Sequence, residues 1–217
     1  SDGVPVLVEA CEENAFAPNL QDIAAAATPR TKAIIVNNPS NPCGSLYELE
    51  TLKGIAELAR EKDWYIVSDE IYDEFIYEGE CPCMAGLSED AYRRTIVVNG
   101  MSKAYAMTGW RIGYTCSSVE LAKVMGSYQS HATSNPCSIA QYASEAALTG
   151  PQDEIRAMVE VFRKRREIMC ELVNEIPGLH CQMPKGAFYT MVNISSWKGK
   201  QVDGKTISGS LDFAELL

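Results

Sequence analysis

Short apolar runs alternate with helix-like segments through most of the chain, and this alternation limits the possible folds more than any other feature. Residues 32–36, 64–67 and 95–98 are continuous runs, typical of strands that are buried on both faces of a sheet. An apolar stripe at helical spacing, from Leu49 to Ala59, separates the first two runs. The pattern predicts an α/β fold with a mostly parallel sheet and helices on both faces.

Other parts of the sequence predict further strands, a helix start and a change of domain. Residues 6–9 and 112–116 also have the composition of strands, and Ser45 with Glu48 predicts a capping box at a helix start. After Gly150-Pro151 the pattern changes to one long helix over residues 153–175, followed by short strands over residues 179–183 and 188–192. We therefore expect a large domain over residues 1–150, and a linking helix and the start of a smaller α+β domain over residues 151–217.

Composition excludes several classes of function. The 217 residues are 46% apolar, and the net charge of −10 argues against a nucleic-acid partner. The sequence has neither a secretory signal nor an apolar run of membrane-spanning length, and its scattered cysteines fit reduced thiols in a cytoplasm. Cys81-Pro82-Cys83 is the only close cysteine pair, so no metal site is expected.

Three polar segments follow three of the predicted strands. They cover residues 38–44, 68–72 and 102–111. The carboxyl ends of parallel strands meet at one edge of the sheet, which is where open α/β sheets bind ligands. The three segments together therefore predict one binding site at that edge.

The third segment carries the most specific chemistry. Lys103 lies just past the buried strand at residues 95–98, where poor solvation favours a neutral amine that can attack a carbonyl. Arg111, in a glycine-flanked turn eight residues later, suits a phosphate group. An amine nucleophile beside a phosphate clamp is what an enzyme using pyridoxal 5′-phosphate (PLP) needs. Taken singly, each residue has a simpler interpretation: Lys103 as an exposed loop lysine, and Arg111 as one half of a surface ion pair.

The three segments together resemble the class I/II aminotransferases of PLP fold type I, and most of all the aspartate aminotransferase group. The resemblance covers nearly the whole chain, and residues 106–113, Ala-Met-Thr-Gly-Trp-Arg-Ile-Gly, are its most specific part. It implies the fold of a PLP-dependent transferase large domain. It also implies PLP as the cofactor.

The resemblance assigns a role to each matching residue. Lys103 corresponds to the lysine that binds PLP covalently and moves the substrate proton, and Asp69 to the aspartate that pairs with the pyridinium nitrogen. Tyr72 and Asn41 correspond to the groups that bind the phenolic oxygen, and Asn41 also to one that faces the substrate carboxylate. Arg111 corresponds to a phosphate ligand. Without the resemblance, Asp69 and Asn41 could be turn residues and Tyr72 a packing residue.

The chain departs from the family pattern at Gly100, where some relatives have a serine or threonine that binds phosphate. Ser102 is the nearest replacement and only a weak one. The family's other phosphate, ring-stacking and substrate-carboxylate groups are expected before residue 1 and after Leu217. We therefore expect an internal fragment that lacks both ends and is inactive in isolation.

The implied activity of the intact protein is transfer of an amino group from an aspartate-like or related amino acid to a 2-oxo acid. The implied assembly is a homodimer in the cytoplasm, with no nucleic acid or membrane partner. Two alternatives remain open. One is another PLP enzyme of the same scaffold, a carbon–sulfur β-lyase or an aminocyclopropane carboxylate synthase type. The other is an aminotransferase-like sensor domain of a transcription regulator.

Overall fold

The computed structural model describes residues 3–217 and contains helices, strands and short 3₁₀ turns. The helices are α1 (Leu20–Ala26), α2 (Leu49–Lys62), α3 (Glu89–Arg94), α4 (Val119–Ala132), α5 (Ser138–Thr149), α6 (Asp153–Glu175) and α7 (Ser210–Glu215). The strands are β1 (Ala33–Asn37), β2 (Tyr65–Asp69), β3 (Thr95–Gly100), β4 (Gly113–Cys116), β5 (His180–Cys181), β6 (Val192–Asn193), β7 (Gln201–Val202) and β8 (Lys205–Thr206). None of the helices in the described residues is long and apolar enough to cross a membrane.

The main sheet has the order β1-β2-β3-β4. Strands β1, β2 and β3 are parallel, and β4 pairs with β3 in the antiparallel direction. The remaining strands form two small antiparallel pairs, β5 with β6 and β7 with β8. The prediction of a mostly parallel α/β sheet is confirmed, with one antiparallel strand added at its edge.

The main hydrophobic core lies between the sheet and helices α1, α2 and α3. Its buried residues include Val36 and Ile66 from the sheet, Leu52 and Ile55 from α2, and Ile23 from α1. Burying an aliphatic side chain of this size contributes roughly 1.5–3 kcal/mol to stability. This core holds β1 and β2 in register, and so fixes where their carboxyl ends lie.

Three sequence predictions about local structure were wrong. Residues 6–9 form no strand, and Val6 and Leu7 are 62% and 89% exposed, because no neighbouring strand pairs with them in the described residues. Strand β1 is not buried on both faces: Ile35 is 76% exposed, since β1 is an edge strand and the core lies on the side of Val36. Helix α2 begins at Leu49 with Glu48 as its N-cap, because the Ser45 carbonyl accepts the Ser40 N–H in the preceding turn.

A second cluster joins α6 to the segment that follows β2. Phe75 and Tyr72 pack with Phe162 of α6 and with Phe188, and their rings meet mostly edge to face. The Ala187 N–H donates to the Phe75 carbonyl at 2.9 Å, so residues near 187 lie against the end of β2. The bounds of α6 are those that the hydrophobic spacing predicts.

Gly100 and Gly113 face each other where β3 and β4 pair. A Cβ atom at position 100 would lie 2.9 Å from the Gly113 Cα and 3.1 Å from the Ile112 carbonyl oxygen. We therefore expect Gly100→Ser to lower the free energy of unfolding by about 1–3 kcal/mol, as overpacking usually does. Urea unfolding measures this.

Gly126→Ala in α4 is the matched control, because nothing lies within 4 Å of its added Cβ. It should leave stability unchanged or raise it by up to about 1 kcal/mol. A Gly100→Ser protein as stable as the parent would show that the two strands can separate without cost.

Candidate active site

The ends of the main strands bring all the candidate residues to one edge of the sheet. Asn37 pairs with Asp69, Asp69 with Val98, and Gly100 with Gly113, so β1, β2 and β3 end where β4 begins. The segments beyond these ends carry the six candidates, which are Asn41, Asp69, Tyr72, Ser102, Lys103 and Arg111. The shared edge follows directly from the parallel arrangement.

Lys103 and Tyr72 lie close together although they come from different loops. The Lys103 Nζ is 5.8 Å from the centre of the Tyr72 ring and 5.7 Å from the centre of the Phe188 ring. Lys103 is partly buried, and among residues 3–217 it takes part in no ion pair. Its amine is therefore in an aromatic-walled recess with no carboxylate bound to it.

Tyr72 is held by a residue that the sequence did not single out. Its side chain is 2% exposed, and its hydroxyl is 2.5 Å from the hydroxyl of Tyr189. Burial, the bond to Tyr189 and the nearby Asp69 all raise the pKa of Tyr72 well above its usual range. Tyr72 therefore carries a neutral hydroxyl that can donate a hydrogen bond. The only sequence signal for Tyr189 is its place in the run Gly-Ala-Phe-Tyr, residues 186–189.

Asn37 connects the first and second loops, and it too was not predicted. Its Oδ1 accepts the Asn41 N–H at 2.6 Å, and its Nδ2 donates to the Asp69 carbonyl at 3.3 Å. The Asn38 N–H also donates to that carbonyl, at 3.1 Å. The backbone of Asn41 is therefore fixed relative to Asp69, while the Asn41 side chain is exposed.

Asp69 and Glu70 are adjacent carboxylates with different surroundings. Glu70 is 6% exposed, and its Oε1 accepts both the Ser68 hydroxyl at 2.8 Å and the Met84 N–H at 3.0 Å. Asp69 is less buried, and its Oδ1 accepts the Ile71 N–H at 3.2 Å. Glu70 is thus committed to the fold, whereas Asp69 keeps acceptor capacity for a bound molecule.

Ser102 and Arg111 lie at the same edge of the sheet. Among the described residues, no hydrogen bond joins either of them to another candidate residue. Ser102 is partly buried beside Lys103. Arg111 is exposed in a left-handed conformation, with φ of 52°, and its Nη1 donates to the Thr108 carbonyl at 2.7 Å. The geometry therefore brings Asn41, Asp69, Tyr72 and Lys103 into one connected group and leaves Arg111 at its margin.

The cysteines near this edge are structural. Burial, and then the nearby Glu70, raise the pKa of the Cys81 thiol to about 12, and its sulfur accepts a hydrogen bond from Asn38 Nδ2 at 3.3 Å. A neutral thiol is a poor metal ligand. No group of three or more His, Cys, Asp or Glu residues within residues 3–217 is arranged to hold a metal ion.

The connected group offers an amine, a carboxylate and a neutral hydroxyl at one edge of the sheet. An amine can bind a carbonyl carbon covalently, a carboxylate can hold a protonated ring nitrogen, and a hydroxyl can donate to a ring oxygen. This donor set fits a flat heterocycle that carries an aldehyde, a basic nitrogen and an acidic hydroxyl. PLP has these three features.

Comparisons with known proteins agree with the resemblance that the sequence motifs indicate. Residues 1–205 match the family model described as aminotransferase class I and II. An aspartate aminotransferase of Geobacillus stearothermophilus is 45% identical over 192 residues, which are 88% of this chain and 49% of that protein. An aspartate/prephenate aminotransferase of Cereibacter sphaeroides is 43% identical over 99% of this chain and 54% of that protein.

A solved structure agrees with the sequence matches. The crystal structure of the aspartate aminotransferase from Rhizobium meliloti superposes with a TM-score of 0.89 at 41% identity, covering 94% of this chain and 52% of that one. The chain thus spans about half the length of the relatives that it matches. The family match along nearly all of its residues places the chain in the class I and II aminotransferase family.

Proposed function

We propose that the full polypeptide is a PLP-dependent aminotransferase that transfers an amino group from an aspartate-like or related amino acid to a 2-oxo acid. The observation that carries the proposal is the position of the Lys103 amine, 5.8 Å from the Tyr72 ring, at the sheet edge where β2 ends in Asp69. Membership of the family supports the same chemistry.

The residues of the connected group have distinct tasks in this proposal. Lys103 holds the cofactor through its amine and, once released, moves a proton at the substrate α-carbon. Asp69 keeps the proton on the ring nitrogen. When bound, PLP supplies a conjugated ring that accepts the electron pair left by that proton.

Four hydrogen-bonding residues complete the assignment. Tyr72 and Asn41 bind the phenolic oxygen of the ring, and Asn41 also faces the substrate carboxylate. Arg111 binds the phosphate, with Ser102 as a weaker second ligand. The exposed position of Arg111 leaves its guanidinium free to reach a ligand at the edge. These roles agree with the donor and acceptor capacity of each side chain.

The larger organisation is part of the same proposal. Residues 1–150 belong to the PLP-binding large domain, and residues 151–217 form the linking helix and the start of the small domain. The protein works as a homodimer in the cytoplasm. The names of the Geobacillus and Rhizobium relatives favour aspartate as the amino donor.

A substrate assay of the full polypeptide tests this function. With saturating PLP, aspartate and 2-oxoglutarate should give glutamate and oxaloacetate, at a higher kcat/KM than with alanine as donor. Release of ammonia from sulfur-containing amino acids, without amino transfer, would instead favour the β-lyase. Binding of PLP with no turnover of any amino acid would favour the sensor domain.

A further inference from the structure

One side-chain hydrogen bond joins the turn that carries Tyr72 to the end of the strand that leads to Lys103. We call residues 70–75 the acidic turn and residues 101–111 the lysine loop. Asn99 Nδ2, in β3 and two residues before the lysine loop, donates to Asp73 Oδ2, in the acidic turn, at 2.7 Å. Among the described residues, no other side-chain hydrogen bond connects the acidic turn to residues 99–111. The Asn99 Oδ1 accepts the Gly100 N–H at 2.7 Å, so both ends of the amide are fixed.

The bond lies where backbone pairing between β2 and β3 ends. The last backbone contact of this pair runs from the Glu70 N–H to the Val98 carbonyl, at 2.9 Å. Asp73 directly follows Tyr72, and Asn99 comes four residues before Lys103. Asn99 itself pairs with Tyr114 of β4, so the Asp73–Asn99 bond ties the turn of Tyr72 to the strand end from which the loop of Lys103 leaves.

The carboxyl group of Asp73 is in unfavourable surroundings for a charge. Burial, with smaller effects from Glu74 and Glu70, raises the pKa of Asp73 to about 6, and the bond from Asn99 offsets part of this rise. No cation forms an ion pair with Asp73 among the described residues. The other titratable groups that face it are Cys81, Tyr105 and Tyr114, and Asp73 contributes to the raised pKa of each.

We propose that Asp73 is a positioning residue, which holds the acidic turn through Asn99 against the end of β3, so that the Tyr72 ring and the Lys103 amine stay side by side. The inference rests on the proposed function, because it assigns Asp73 a part in the placement of the amine. Asp73 acts through Asn99 and has no contact with substrate or cofactor. A misplacement of about 1 Å in such a group can lower a rate by about a hundredfold.

Kinetics of variants in the full polypeptide test the proposal. Asp73→Ala should lower kcat by about ten- to a hundredfold with little change in KM, because the amine is misplaced after substrate has bound. Asp73→Asn keeps an acceptor of the same shape and should remain within about threefold of the parent. Glu74→Ala, an exposed carboxylate on the same turn, is the matched control and should have no effect.

The partner residue provides a second variant. Asn99→Ala should reproduce the fall in kcat, and the double variant with Asp73→Ala should be no slower than either single variant, because both remove the same bond. Multiplying effects in the double variant would overturn the proposal. An unchanged kcat in Asp73→Ala, with a loss of thermal stability alone, would also overturn it.

Chemical labelling of the cofactor-free protein tests this inference independently of the proposed function. The Lys103 amine of the cofactor-free protein is labelled with trinitrobenzenesulfonate, and the rate is followed on the Lys103 peptide. Asp73→Ala and Asn99→Ala should each change this rate at least threefold, while Glu74→Ala should not. If the parent fails to transfer amino groups but this result holds, the proposed function is wrong and the link is real. Equal labelling rates in all variants would overturn the link itself.

The pH dependence of unfolding gives an independent check on Asp73. Since its pKa in the folded protein lies above its ordinary value, the group contributes stability below about pH 4, and this contribution is lost as pH rises through about 6. Between pH 4 and 8 the parent should therefore lose up to about a hundredfold in its folding equilibrium constant relative to Asp73→Asn. Identical pH profiles would show that Asp73 is solvated like an exposed carboxylate, and would contradict its partly buried position.

Discussion

Replacing Lys103 with Ala should lower kcat for amino transfer in the full polypeptide by about 10⁴-fold. In the proposed mechanism, the variant loses the amine that holds the cofactor and the group that moves the proton at the substrate α-carbon. A positioned acid or base contributes about 10²–10⁴-fold, and loss of the covalent attachment adds to this. Steady-state turnover of aspartate with 2-oxoglutarate measures the effect.

Lys123→Ala is the control, because Lys123 is exposed on α4 and takes part in no ion pair among the described residues. It should turn over substrate at the parent rate. A Lys103→Ala protein with a kcat within tenfold of the parent would remove Lys103 from the mechanism, whatever its position in the recess.

The second large effect is expected at Asp69. Asp69→Asn keeps the shape of the side chain and an acceptor for the Ile71 N–H, but it removes the negative charge. The ring nitrogen then loses its proton and the ring accepts electrons poorly. We expect kcat to fall by about a thousandfold, which corresponds to about 4 kcal/mol of barrier.

Asp22→Asn, an exposed carboxylate of α1, controls for the loss of one charge. The absorbance spectrum of the bound cofactor at several pH values reports the ring protonation directly. If Asp69→Asn transfers amino groups at a near-normal rate, the carboxylate serves only the turn that follows β2.

The sequence predicted the helices and strands correctly wherever the local spacing of apolar residues matches the side that is buried in the fold. The apolar runs at residues 32–36, 64–67 and 95–98 each contain most of a strand, and the spacing in residues 153–175 gives the bounds of α6. The failures concern partners that a local pattern does not specify. Residues 6–9 have the composition of a strand but pair with no strand among residues 3–217, and Ile35 is apolar like a core residue but lies on the exposed face of β1.

The sequence predicted the candidate site where its residues lie at or just after the ends of parallel strands. The parallel order of β1, β2 and β3 brings Asn41, Asp69 and Lys103 to one edge, as the sequence indicates. Contacts through space were not predictable. Tyr189 reaches the Tyr72 hydroxyl from 117 residues away, and Asn99, near the end of β3, reaches Asp73 in the turn after β2. Such pairs leave no periodic signal, because each partner alone resembles an ordinary polar residue.

The most direct test of the account is to locate the covalent cofactor. The full polypeptide is incubated with PLP, reduced with borohydride and digested, and the pyridoxyl group is mapped by mass spectrometry. The account predicts the adduct on Lys103, with its yield lost in Lys103→Ala and kept in Lys123→Ala. An adduct on Lys123 or Lys185, with Lys103 unmodified, would contradict it.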